Sequence, residues 1–105
     1  MSRKVTLSVP VDIVVRDRDV RLLAAVSDAA PRAGRPLQIS LAQLSDALGT
    51  SVFTCRRAVI SCRDEGYLEV QEHHMPNGAQ RENSYRLTPA GEAVLHSARQ
   101  ANLVA

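Results

Sequence analysis

The chain has 105 residues, 45% of them hydrophobic, and a formal net charge of +2. That length suits a single folded unit with a modest core, and no apolar run approaches the roughly 20 residues of a membrane span. So small a charge does not by itself demand a nucleic-acid partner. Arginine nevertheless makes up twelve of the thirteen basic residues, and its planar fork suits bidentate contact with phosphate or guanine.

The N-terminal stretch MSRKVTLSVPVDIVV has neither the continuous apolar core nor the small-residue cleavage site of a signal peptide. Its residues Val5, Leu7, Val9, Val11, Ile13 and Val15 alternate with period two, which predicts a strand or arm over about residues 3–15. Pro10 restricts that strand to an edge or a break. Its free edge either covers one side of the core or pairs with a second copy of the chain.

Asp17 or Asp19 is expected to cap a first helix running to about Ala30, with Val20, Leu23, Ala24 and Val26 as its apolar face. Pro31 disfavours helical geometry at the residue before it and so ends the helix. A basic loop, Pro31-Arg32-Ala33-Gly34-Arg35-Pro36, leads to a short strand at Leu37-Gln38-Ile39.

Ser40 and Gln43 stand at capping-box spacing, each side chain able to satisfy the other's backbone amide. In the second helix Leu41, Leu44 and Leu48 recur at helical spacing with Ala47 beside them. Gly49 supplies the left-handed residue that ends it, and Ser51 caps a third helix. There Cys55, Val59 and Cys62, with Ala58 alongside, form the inward stripe. Both cysteines are read as small core residues, not as redox or metal groups. Seven residues apart on one helix, they would lie about 10 Å from each other, beyond disulfide reach. That reading places the chain in a reducing, cytoplasmic setting.

Gly66 ends the third helix. Tyr67–His73 reads as a strand and Glu82–Leu87 as its return, closed by Asn77-Gly78, the strongest short hairpin signal. His73, His74, Gln80 and Arg81 give the hairpin a polar, partly basic tip. Thr88-Pro89 starts the last helix as cap and first helical residue. Ala90, Val94, Ala98 and Ala101 are expected along its apolar stripe, with Leu95 adjacent.

The order is strand, helix, short strand, helix, turn, helix, hairpin, helix. Between Val20 and Glu92 the chain resembles the winged helix-turn-helix of bacterial transcription regulators. The residues that carry the resemblance are Leu41-Ala42, Leu44, Leu48-Gly49-Thr50-Ser51, Thr54, Arg56-Arg57-Ala58-Val59 and Glu65-Gly66-Tyr67-Leu68-Glu69-Val70. The segment Asn83-Ser84-Tyr85-Arg86-Leu87-Thr88-Pro89-Ala90-Gly91 is similar to the wing end and final helix start of the MarR and PadR families. GntR regulators and the N-terminal domains of phage and plasmid replication proteins share the second- and third-helix pattern. The resemblance implies an α+β fold: one winged helix-turn-helix domain over residues 1–105, core about 18–101, with an N-terminal strand and a C-terminal helix.

The third helix suits the major groove, with side chains from its first turns facing base edges. Once Cys55, Val59 and Cys62 turn inward, the outward set is Val52, Phe53, Arg56, Arg57 and, one turn on, Ile60. The resemblance implies that Ser51 and Thr54 bond phosphates and that Arg56 contacts bases or phosphate. Arg57 is expected on the DNA backbone, with Arg81, His73 and His74 extending the wing, around Asn77 and Gln80, to a flanking groove. The partner implied is double-stranded DNA, bound by a homodimeric repressor or by a replication or partition regulator of a mobile element. The competing reading is a protein-docking module that uses Val52, Phe53 and Ile60. No enzyme, cofactor or metal site is expected: the chain has no phosphate-binding glycine loop, and His73-His74 lack further ligands. The few aromatics, Phe53, Tyr67 and Tyr85, argue against a stacking platform for single strands.

Overall fold

A computed structural model describes residues 4–8, 12–32, 35–73 and 82–104 of the chain. In chain order the elements are β1 (Lys4–Ser8), β2 (Asp12–Arg16), α1 (Asp17–Ala29), β3 (Leu37–Ile39), α2 (Leu41–Leu48), α3 (Val52–Asp64), β4 (Leu68–Gln71), β5 (Asn83–Leu87) and α4 (Pro89–Gln100). Three strands form an antiparallel sheet in the order β3-β5-β4, and β1 and β2 form a separate two-stranded sheet. No described helix is long and apolar enough to cross a membrane.

The expected N-terminal strand is in fact two. β1 and β2 pair antiparallel with Val5 opposite Val15 and Leu7 opposite Ile13. Directly opposed residues share a sheet face, so the period-two pattern survives the reversal, and periodicity alone cannot tell one strand from the two arms of a hairpin. Leu7 and Val15 are buried, while Val14 is exposed. Pro10 and its neighbours at the reversal lie outside the described residues.

α1 runs through the centre, packing on α3, α4, α2 and β5. Val20, Leu22, Leu23 and Val26 are essentially inaccessible. The expected aspartate cap is not made: Arg16 occupies the cap position with no side-chain bond. Asp17 and Asp19 instead fall in the first turn, where carboxylates favour the positive helix end. The helix stops at Ala29, and Ala30, ahead of Pro31, has an extended ψ of 139°. That is the restriction a following proline imposes.

The capping box of α2 is complete. Ser40 Oγ accepts from the Gln43 backbone N–H at 3.1 Å, and Gln43 Oε1 accepts from the Ser40 N–H at 3.1 Å. Leu44 is buried and Leu41 and Leu48 pack partly against the core, but Ala47 is exposed and Ser45 is buried in its place. The Ser45 hydroxyl donates to the Ala42 carbonyl at 2.7 Å, which satisfies it without a distant partner. Gly49 has φ 65°, ψ 36° and closes the helix. In α3 the expected inward stripe of Cys55, Ala58, Val59 and Cys62 is the one observed.

β4 and β5 pair with Leu68 opposite Leu87 and Val70 opposite Tyr85, and β3 adds to the far edge of β5 with Leu37 opposite Tyr85. Tyr85 is wholly buried, and its hydroxyl accepts from Asn83 Nδ2 at 3.1 Å. Thr88 caps α4 by accepting from the Gly91 N–H at 3.0 Å, with Pro89 in the first turn. Gly91, Val94, Leu95 and Ala98 form the buried stripe; Ala90 and Ala101, expected there, are exposed. Alanine buries too little area to fix the phase of a helix.

Candidate nucleic-acid interface

The turn between α2 and α3 is built from local bonds. The Gly49 N–H donates to Asp46 O, the Thr50 N–H to Ser45 O, and Ser51 Oγ accepts from the Thr54 N–H at 3.1 Å. The Ser51 hydroxyl also donates to Thr54 Oγ1 at 3.0 Å, which couples the two hydroxyls at the start of α3. This sets the angle at which α3 leaves α2 and leaves its outer side uncovered.

That side carries Val52, Phe53, Arg56, Arg57 and Ile60, all exposed. Phe53 is 69% accessible, Val52 42% and Ile60 41%, large values for apolar side chains. The Arg57 guanidinium carbon lies 5.7 Å from the Phe53 ring centroid, within cation–π range. Neither Arg56 nor Arg57 forms an ion pair with a described residue. The described residues thus bring Ser51, Val52, Phe53, Thr54, Arg56 and Arg57 together on the first two turns of one exposed helix.

Between α3 and the β4–β5 hairpin lies an open groove of about 720 Å³, lined by Leu41, Arg56, Ile60, Arg63, Glu72 and Glu82 among others. Sequence reasoning passed over Arg63 and Glu82. Arg63 stands seven residues after Arg56, which is two turns and the same helix face, so the spacing itself held the signal. Glu82 precedes β5 and lines the groove because β4, paired with β5, packs against α3, an approach that no local pattern discloses.

His73 is half-buried, with its Nε2 hydrogen-bonded to Ser84 Oγ at 2.9 Å across the hairpin. His74, Asn77, Gln80 and Arg81, also expected at the wing, lie outside the described residues. On the sheet surface Arg86 Nε donates to Glu69 Oε2 at 3.0 Å.

Behind α3, Asp19 is buried at 4% exposure, accepting from Ser61 Oγ at 2.7 Å and from Arg18 Nε at 3.1 Å. Cys62 Sγ lies 3.7 Å from the Asp19 carbonyl. Burial first, then the Asp19 charge, pushes the Cys62 thiol well above its ordinary value, and burial also raises Cys55. Both stay protonated at neutral pH and are poor nucleophiles. Among the described residues no group of three His, Cys, Asp or Glu is placed to hold a metal ion.

No protein-family model matches this chain, and no curated protein matches it either. Solved structures do. A MarR family transcription regulator superposes with a TM-score of 0.64 at 25% identity, over 85% of this chain and 52% of its own. BpsR of Bordetella bronchiseptica, whose DNA binding is regulated by 6-hydroxynicotinic acid, gives 0.59 at 19% identity, over 82% of this chain and 59% of its own. A candidate DNA-binding protein from Ralstonia eutropha JMP134 gives 0.58 at 18% identity, over 78% of this chain and 94% of its own. The chain therefore spans about half the length of the MarR family regulator it matches. Capped α2, glycine turn, exposed α3 and antiparallel β4–β5 have the order and arrangement of a helix-turn-helix with its wing. The chain has the winged helix-turn-helix fold of MarR family transcription regulators.

Proposed function

We propose that this protein is a sequence-specific double-stranded DNA-binding regulator that sets α3 in the major groove and the β4–β5 wing on a flanking groove. The observation that carries this reading is the outer face of α3. Two arginines without described ion-pair partners and two coupled hydroxyls stand at the start of an uncovered helix. Arginine forks match guanine O6/N7 and phosphate oxygens. Thr54 Oγ1 accepts from Ser51, which leaves the Thr54 hydroxyl proton to donate to phosphate. Ser51, Thr54 and Arg57 position the domain on the backbone and Arg56 reaches a base edge, with His73, His74, Asn77, Gln80 and Arg81 serving the wing.

The regulator acts in the cytoplasm as a homodimeric transcriptional repressor, or in replication or partition of a mobile element. Dimerisation uses α4 or the β1–β2 hairpin, and two half-sites then lie about 34 Å apart along the duplex. Selection of bound fragments from genomic DNA tests the reading directly. Replacing Arg56 and Arg57 together by alanine should weaken binding to an enriched fragment by about 100-fold and flatten its salt dependence. The circular dichroism spectrum should not change, because both side chains are exposed. Wild-type affinity that stays constant as salt rises would refute phosphate-led binding.

A second reading has its own observation, the exposure of Val52, Phe53 and Ile60 on that same helix. Here the winged scaffold docks a protein. Phe53→Asp would then break the partner complex and leave any DNA affinity unaltered.

A further inference from the structure

Among the described residues four large apolar side chains are exposed: Val14, Val52, Phe53 and Ile60. Three of them share one face of α3 with Arg56 and Arg57. Val52, Arg56 and Ile60 follow one another at four-residue spacing, and Phe53 and Arg57 form the neighbouring row. Leaving a phenyl ring in water forgoes the favourable free energy of its burial. A hydrophilic side chain would serve a purely phosphate-binding helix better. In the major groove the one apolar group on the edges of the four standard bases is the C5 methyl of thymine.

We infer that Phe53 reads a thymine C5 methyl in the target site, an inference that rests on the DNA-binding reading above. Phe53 stands on the first turn of α3, where a recognition helix meets base edges. The Arg57 guanidinium, 5.7 Å from the ring centroid, restrains the ring before binding, so little rotamer freedom is lost on contact. It also places a positive charge beside the apolar contact. That arrangement suits a methyl-bearing base next to phosphate and suits a neutral protein surface poorly. Phe53 is thereby a specificity-determining residue, and Arg57 is both a backbone contact and a positioning residue for the ring.

The test takes the full chain and a fragment enriched from genomic DNA, resynthesised with each thymine in turn replaced by deoxyuridine. This removes only the methyl and keeps base pairing. Wild-type affinity should fall about fourfold at one or two thymines per bound protomer, the value of one buried methyl-sized group, and stay level at the others. Phe53→Ala should bind thymine and uracil duplexes equally, with an unaltered salt slope. Phe53→Leu, which keeps an apolar contact and binds more tightly if the alanine variant is too weak to measure, should show a reduced penalty. A wild type indifferent to uracil at every position overturns the methyl reading alone. So does a penalty that persists undiminished in both variants, or a Phe53→Asp variant that loses a protein partner but no DNA affinity. If no genomic fragment is enriched, the DNA-binding reading falls and the methyl reading falls with it.

Discussion

Replacing Gly91 by alanine should destabilise the protein by about 2 kcal/mol, although alanine is the better helix former by about 1 kcal/mol. Gly91 lies in the first turn of α4 and is buried against the turn that follows α3. A Cβ at this position would stand 2.0 Å from the Tyr67 carbonyl oxygen, 2.9 Å from its carbon and 3.2 Å from its Cα. All three are backbone atoms, and none can swing aside. The Tyr67 N–H donates to Cys62 O at 2.8 Å, the Thr88 N–H donates to Tyr67 O at 3.1 Å, and the Thr88 hydroxyl donates to Gly66 O at 2.5 Å. Relief therefore requires α4 to retreat by about 1 Å, enough to forfeit a quarter to a half of the dispersion energy at each contact it opens. Val94, Leu95 and Ala98, each at most 1% exposed, are the side chains that would lose those contacts. Overpacking of this kind costs about 1–3 kcal/mol and the weakened Thr88–Tyr67 bond about 1 kcal/mol. Together they outweigh the helix-propensity gain. Equilibrium urea unfolding followed by circular dichroism reads the difference: the midpoint should drop by about 1–2 M with the slope unchanged. A midpoint equal to or above that of the wild type would refute the close-approach argument.

Asp19→Ala should cost about 2–3 kcal/mol, because it leaves Ser61 and the largely buried Arg18 without their carboxylate partner. Ser61→Ala should cost about 1 kcal/mol. The double variant should be less destabilised than the two single losses combined, since the side chains share one bond; strict additivity in urea unfolding would contradict the pairing. The thiols set a pH dependence. In the folded protein Cys55 and Cys62 are raised above their ordinary 9.0, so above that pH the unfolded chain releases protons that the folded chain keeps. Their contribution to stability is complete below about pH 9 and is lost as pH rises. The midpoint in urea should accordingly fall between pH 8 and pH 10, less so in Cys62→Ala, and a chromogenic disulfide reagent should label Cys62 at the rate of unfolding. Prompt stoichiometric labelling of the native protein would show that the thiols are not shielded.

Local chemistry made most of the helix-turn-helix legible. Ser40 with Gln43, Gly49, Ser51, Gly66 and Thr88-Pro89 each act within four residues of themselves, so their meaning is carried by neighbours in the chain. The same holds for the inward phase of α3, because Cys55, Val59 and Cys62 repeat at helical spacing. From that phase the exposed set of Val52, Phe53, Arg56, Arg57 and Ile60 follows directly.

What the sequence by itself determined, then, is where α2 and α3 start and stop, where α4 starts, and which face of α3 is turned outward. Only the tertiary structure decided the rest. Asp19 looks like a helix cap until Ser61, far along the chain, is seen to approach it. The N-terminal alternation looks like one strand until Val5 meets Val15. The need for glycine at position 91 shows only when the Tyr67 backbone is found where a side chain would be. In each case the deciding partner is distant in sequence, and only the packed chain brings the two together.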